Sequence, residues 1–284
     1  MGNPKKKKTQ NNRRKQANSK KSPRLSWIKK NAWILWSGAL ICLFLYLMVV
    51  YYFFVGTNSF NWRSAYQKPI FPEGYDIRGI DVSHYQEEIN WELVRNASLN
   101  NDPIRFVIIK ATEGETIFDE YFNQNFFLSK KNDFIRGAYH FFVPGVSPKK
   151  QANFFIRQVQ LEPGDLPPVL DVETEGKISK SQLQRDVKIW LDMVEKHYGV
   201  KPILYTGYKF KVKYLNDEMF NDYPYWIAHY NVDKIKYKGS WHFWQHTDCG
   251  SVNGIKGNVD CNIFNGSLHD LEKLLIKEKE EMNP

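Results

Sequence analysis

The segment LPPVLDVETE, residues 166–175, ends an apolar run on two carboxylates, Asp171 and Glu173, one residue apart. On an extended strand, residues two apart point to the same side. Asp171 and Glu173 therefore share a face, while Leu170 and Val172 turn to the packed layer and Glu175 falls beyond the strand. Two more strand-like runs carry acids in similar positions: Asp81 in GIDVS, with Ser83 on its face, and Asp260 in VDCN, with Asn262 on its face. Four carboxylates at one mouth would repel one another and lose hydration. That raises at least one pKa and leaves a protonated acid beside an ionised partner. Glycoside hydrolysis uses this division of labour, with an acid to protonate the leaving oxygen and an anion to assist at the anomeric carbon. Single acids at strand ends often cap helices or pair with cations. Four on the strands of one domain, with no matched basic set nearby, point to a site. Clustered carboxylates can also hold calcium or magnesium, but no EF-hand spacing is present and no metal is expected.

Aromatic rings gather at the same strand ends: Tyr139 and Phe141 in AYHFF, Tyr205 in LYTG, Tyr230 in AHY and Trp244 in FWQ. Such rings suit apolar contact with sugar faces, and equally suit core packing; these five are the candidate substrate-binding residues. His140 and His229 alternate with the inward tyrosines and are expected to face outward as structural groups. His242 and His246 are four apart, a ligand spacing on a helix but not a distinctive one on a strand.

The acids need a scaffold that brings strand ends together. From Ile77 onward, β-rich runs at 79–83, 106–112, 137–142, 168–173, 202–207, 225–230, 242–247 and 259–264 alternate with helical patterns. Those patterns lie at 87–99, 118–131, 147–161 and 178–198, with a weaker one at 209–220 and a last amphipathic stretch, LHDLEKLLIKEKEE. Strands alternating with helices predict an α/β domain with a parallel sheet. Eight of them fit an irregular (β/α)8-type barrel, whose site forms at the carboxyl ends of the strands. The connections after the fifth to seventh strands are too short for full helices, so that half is expected to be irregular.

Charge is distributed unevenly. The formal charge is +9 over 284 residues, yet residues 1–72 hold 14 Lys or Arg and no Asp or Glu. The remaining 26 basic and 31 acidic residues make the rest mildly acidic, which argues against a nucleic-acid surface. Residues 1–31 form a basic tail too polar to fold alone. Ala32 to Val55 is a run of 24 uncharged residues; as a helix it would extend about 36 Å, enough to cross a hydrocarbon core of about 30 Å. Trp33, Trp36, Tyr51 and Tyr52 stand near its ends, where such rings favour the interface. A signal peptide has a shorter apolar region and a small-residue cleavage site, whereas this run ends YYFFVG. The expected organisation is therefore a cytoplasmic tail at 1–31, a transmembrane helix at 32–55 in the lipid bilayer, a linker at 56–76 and a catalytic domain at 77–284. The basic flank places the N-terminus in the cytoplasm and the domain outside the plasma membrane. Cys249 and Cys261 flank one loop and could form a disulfide or remain two thiols. A monomer is expected.

In order, GIDVSHYQ, FVIIKATEG, RGAYHFF, QANFF, LPPVLDVE, PILYTGY, YWIAHY, FWQHT and GNVDCNIFNG resemble the strand motifs of glycoside hydrolase family 25, over residues 77–270. The resemblance implies an irregular α/β barrel and an N-acetylmuramidase of the lysozyme type. Its substrate would be peptidoglycan, cut at the β-1,4 bond between N-acetylmuramic acid and N-acetylglucosamine with neither cofactor nor metal. Glu173 matches the proton donor, and Asp171 matches a carboxylate that acts as nucleophile or orients the substrate 2-acetamido group. Asp81 and Asp260 match flanking acids; Tyr139, Tyr205 and Trp244 match the sugar groove. Two positions depart from the pattern: Glu87 stands where the family commonly has Gly, and Cys261 replaces an apolar residue between Asp260 and Asn262. The chitinase pattern D-x-x-D-x-D-x-E, aligned on Glu173, would need acids at Leu166 and Val169 and does not fit. A wall-binding module that keeps the groove without turnover is the alternative in a different class; binding without product would distinguish it.

Overall fold

A computed structural model of the chain describes residues 31–51 and 69–278. The chain divides into two units, residues 1–62 and 63–284. In the first, helix α1 (Ala32–Tyr51) is apolar on all sides. The basic tail up to residue 30, the end of the apolar run at 52–55 and the linker up to residue 68 lie outside the described residues.

The second unit is built on eight strands: β1 (Arg78–Val82), β2 (Asp102–Glu113), β3 (Ile135–Phe141), β4 (Val169–Asp171), β5 (Ile203–Gly207), β6 (Tyr225–Ala228), β7 (Phe243–Gly250) and β8 (Val259–Phe264). From β1 to β7 each strand pairs in parallel with the next. β8 runs antiparallel to both β7 and β1 and closes the barrel. This corrects the (β/α)8-type expectation: the barrel is a closed eight-stranded one whose last strand is reversed. The cause is connection length. Eight residues separate β7 from β8, whereas a parallel crossover needs about a dozen or more.

Helices α2 (Trp91–Arg95), α3 (Phe122–Lys131), α4 (Pro148–Gln158), α5 (Lys180–Tyr198), α6 (Tyr208–Tyr214) and α7 (Leu268–Leu274) complete the unit. Among the described residues no helix joins β6 to β7 or β7 to β8. The helix expected at 87–99 shortens to α2: Glu87 takes φ 51°, Asn90 caps the start by accepting from Leu93 N, and Ser98 and Leu99 are drawn into a hairpin whose turn residues, Asn100 and Asn101, take φ 53° and 71°. Leu99 faces Asp102 across that two-residue turn. α7 stops at Leu275, which is extended, and Ile276 then exchanges backbone hydrogen bonds with Gly164 and Asp165. Residues 279–281 of the expected last helix lie outside the described residues.

Alternation along the strands sorts the apolar residues into two layers. Phe106, Ile108, Val169, Ile203, Trp226, Phe243 and Phe264 fill the barrel interior. Ile80, Val107, Ile109, Leu170, Val172, Leu204 and Ile227 lie in the outer layer, with the helix residues Phe155, Trp190 and Val194. The helix layer is anchored by capped termini. Ser147 caps α4 with Pro148 in its first turn, and Ser179 caps α5, which ends on left-handed Gly199 (φ 75°).

Candidate active site

The period of two that buries Val169 in the barrel also sends Asp171 inward and upward, toward the carboxyl ends of the strands. Strand pairing does the rest. Phe141, Asp171 and Tyr205 form one row across β3, β4 and β5. Asp81 sits opposite Asp260 across β1 and β8, and Gln245 opposite Asn262 across β7 and β8. The result is a cleft of about 390 Å³ lined by Asp81, Asp171, Glu173 and Asp260, together with Ser83, Tyr85, Gln86, Lys110, Glu113, Tyr139 and Phe141. A larger depression of about 570 Å³, around Trp91 and Asn132, lies apart from the four acids.

Asp81 is held by a network of fixed polarity. Its Oδ2 accepts from Asn262 Nδ2 at 2.7 Å and from Gln245 Nε2 at 2.9 Å. The amides cannot usefully turn over, because Asn262 Oδ1 accepts from the Trp226 indole at 2.8 Å and Gln245 Oε1 accepts from the hydroxyls of Tyr205 (2.7 Å) and Tyr230. Burial raises Asp81 to about 6 against these donors, with the charge of Glu173 adding a little. Asp260 is pushed well above the ordinary carboxylate range, first by burial and then by Asp81. The two face each other across β1 and β8, and the charge of either makes the other harder to ionise.

The second pair has a cation beside it. Burial, and then the charge of Glu173, raises Asp171 well above its ordinary value. Asp171 Oδ1 is buried and has no hydrogen-bond partner among the described residues. Glu173 presents surface to solvent at the mouth. Enough protein surrounds its carboxyl to raise its pKa, against the nearby Tyr205 hydroxyl and the charge of Lys110. Lys110, on β2 and only 8% exposed, bonds Glu113 through Nζ at 2.7 Å and lies 5.2 Å from the Phe141 ring centre. It favours the ionised form of both Asp171 and Glu173.

Asp171, Glu173, Asp81 and Asp260 thus converge, and Tyr139 and Phe141 line the same cleft. Tyr205 and Tyr230 serve the Gln245 network. Trp244 does not reach the cleft and is corrected as a groove residue. It is fully buried on the opposite face of β7, where its indole donates to His229 O at 2.8 Å and packs against Tyr75 and Trp241. Phe243 and Gln245 take the inner positions, so the residue between them must point out. His140 faces outward, fully buried between Thr112 (2.7 Å) and Gln151 (3.1 Å) and stacked on Trp190. Cys261 also faces away, in the outer apolar layer, where burial pushes its thiol up. Two groups were missed in the sequence, Lys110 and Gln245. Each is the polar residue of an otherwise apolar inner face, Phe106–Ile108–Lys110 and Phe243–Gln245, and that break in the pattern was the available signal. Among the described residues no group of three or more His, Cys, Asp or Glu is arranged to hold a metal ion.

The raised carboxyls have a cost in stability. The folded chain keeps protons that an unfolded one releases near pH 3.8. The contribution of Asp81 is therefore most favourable below that pH and is lost as pH rises through about 6. Asp81→Asn, which keeps the hydrogen bonds without the charge, is expected to gain on the order of 2–3 kcal/mol relative to wild type between pH 4 and pH 7. Melting at the two pH values checks this; an equal offset at both contradicts it.

The family model for Glycosyl hydrolases family 25 matches residues 80–255. The chain belongs to that family. The protein YegX of Escherichia coli (strain K12) is 47% identical over 210 residues, 74% of this chain and 77% of YegX. Lysozyme M1 of Streptomyces globisporus is 32% identical over 206 residues, 67% of this chain and 68% of that enzyme. Among solved structures, a family 25 glycosyl hydrolase from Bacillus anthracis superposes with a TM-score of 0.66 at 30% identity, covering 73% of this chain and 97% of that one. The barrel unit is a glycoside hydrolase. Asp260 stands five residues beyond the matched segment, and it is the pairing of β8 with β1 that brings it to Asp81.

Proposed function

We propose that this family 25 enzyme is a membrane-anchored lysozyme that cleaves the β-1,4 bond between N-acetylmuramic acid and N-acetylglucosamine in peptidoglycan. The observation that carries the reading is the convergence of four carboxylates, with two raised acid pairs, in one cleft of a family 25 barrel. Relatives at 32% and 31% identity are named a lysozyme and an N,O-diacetylmuramidase.

Glu173 is the general acid. It is the member of its pair that reaches the mouth, and its raised pKa keeps a proton available to the leaving oxygen. Asp171 is the nucleophile, or the group that orients the 2-acetamido nitrogen. Its unpartnered Oδ1 favours the second role, since a substrate N–H would satisfy that buried acceptor and restore the anion. Asp81 and Asp260 hold the floor of the cleft, and Tyr139 and Phe141 offer rings to the sugars. The apolar, uncharged helix α1 supports the anchor, with a mean hydropathy of 2.1 over residues 32–49, and the basic flank supports a barrel outside the cytoplasm, where it would act in wall remodelling.

The test uses the full-length protein. Mass spectrometry of digested peptidoglycan is expected to show fragments with muramic acid at the reducing end, from protein recovered in carbonate-washed membranes. Reducing-end glucosamine would overturn the bond assignment, and a soluble, N-terminally cleaved product would overturn the anchor.

A further inference from the structure

The loop after β1 contains the most exposed large ring of the barrel unit among the described residues. Tyr85 is 79% exposed, yet the turn that carries it, His84–Gln86, is held at several points. Ser83 caps it, Gln86 Oε1 accepts from Ser83 N at 2.9 Å, and Gln86 Nε2 donates to Asn258 O at 3.0 Å. Asp119, from the segment after β2, accepts from His84 N at 2.9 Å and contacts His84 Nδ1 at 3.1 Å. The next residue, Glu87, takes φ 51° and ψ −135°, a conformation suited to glycine. A side chain held there is strained backbone at the edge of a cleft. The His84 ring backs Tyr85 at 4.2 Å with a 34° tilt, which leaves the far side of the ring open.

Such a residue contributes little to folding, since its ring is in water. The turn nevertheless fixes it beside the acids, in the wall of the same cleft. An immobilised ring with one backed face and one open face is a stacking platform, and fixing it beforehand lowers the entropy lost on binding. The surroundings select the ligand. Asp81, Asp171, Glu173, Asp260 and Glu113 share the cleft with a single cation, Lys110, which is already bonded to Glu113, so an anionic group is disfavoured. A neutral ring with an apolar C–H face fits.

We infer that Tyr85 is a sugar-stacking subsite at the lip of the cleft, taking a neutral N-acetylglucosamine ring of the glycan strand next to the pair of sugars being cut. This rests on the lysozyme reading of the site. Because the contact is remote from the reacting bond, it acts on binding equally in ground and transition states.

The test measures kcat and KM for the full-length protein on peptide-free glycan strands from purified peptidoglycan. Tyr85→Ala is expected to raise KM about three- to tenfold, the range of one aromatic stacking contact, with kcat within about twofold. Its melting temperature should match wild type, and Tyr85→Phe should restore KM. An unchanged KM in folded Tyr85→Ala overturns the subsite, and so does a loss confined to kcat. If wild type releases no reducing ends, the lysozyme reading fails. Calorimetric binding of the same strands then decides the subsite: weaker binding to Tyr85→Ala supports it, and equal or undetectable binding overturns it.

Discussion

Glu173→Gln is expected to keep the fold and remove nearly all release of reducing ends from purified peptidoglycan. Loss of a positioned general acid, with nothing in the cleft to replace it, should lower kcat about 10³-fold or more, on the order of 4 kcal/mol of transition-state stabilisation. Glutamine keeps the shape but cannot deliver a proton to a departing sugar oxygen. The fold should survive because Glu173 reaches solvent at the mouth and because its charge raises the pKa of Asp171. Removing that charge makes Asp171 easier to ionise. The pH profile gives a second readout. In wild type, activity falls as pH rises through the elevated pKa of Glu173, because the acid form is lost. The residual activity of the variant should lack that alkaline limb. Activity within tenfold of wild type, in a protein that melts normally, would sink the assignment.

Asp171→Asn comes next in size. An anion at the reacting carbon, or one that polarises the acetamido group, is electrostatic assistance in a partly water-excluded site. Its loss should lower kcat about 10²–10³-fold with a smaller change in KM. Stability should move the opposite way. The buried carboxyl of wild type holds its proton above the ordinary range, so ionising it at neutral pH opposes folding. The asparagine variant should therefore melt above wild type at pH 7 and lose that advantage near pH 4. The two roles can be separated by trapping with a 2-fluoro sugar. A glycosyl adduct on the peptide bearing Asp171 assigns the nucleophile, and an enzyme that stays unlabelled while still cleaving acetamido substrates assigns the orienting role, because the probe lacks the acetamido group. A variant with wild-type kcat would remove Asp171 from the chemistry altogether.

Alternation was enough to place most of these groups. Asp171 and Glu173 share a face because strand side chains repeat every two residues, and the same rule put Leu170 and Val172 in the outer layer. It also put Asn262 with Asp260 and His140 with the outer helices. The rule fixes relative faces and leaves open which parity is inside. Trp244 shows the consequence: by type and position the ring between Phe243 and Gln245 suits a sugar groove, but pairing with β8 sends Gln245 to Asp81 and the indole outward. Turn chemistry explains the hairpin that follows α2, since Asn100 and Asn101 accept positive φ and start β2 at once.

By itself, then, the sequence determined the strand-and-helix order, the four acids, the apolar run at 32–55 and the likeness to family 25, because local periodicity and composition carry those signals. Only the tertiary structure decided that β8 closes the barrel in reverse, that Asp260 meets Asp81 and that Lys110 stands among the acids. These depend on contacts such as Asp81 with Asn262, 181 residues apart, and no local pattern encodes which distant strand edge a chain will meet.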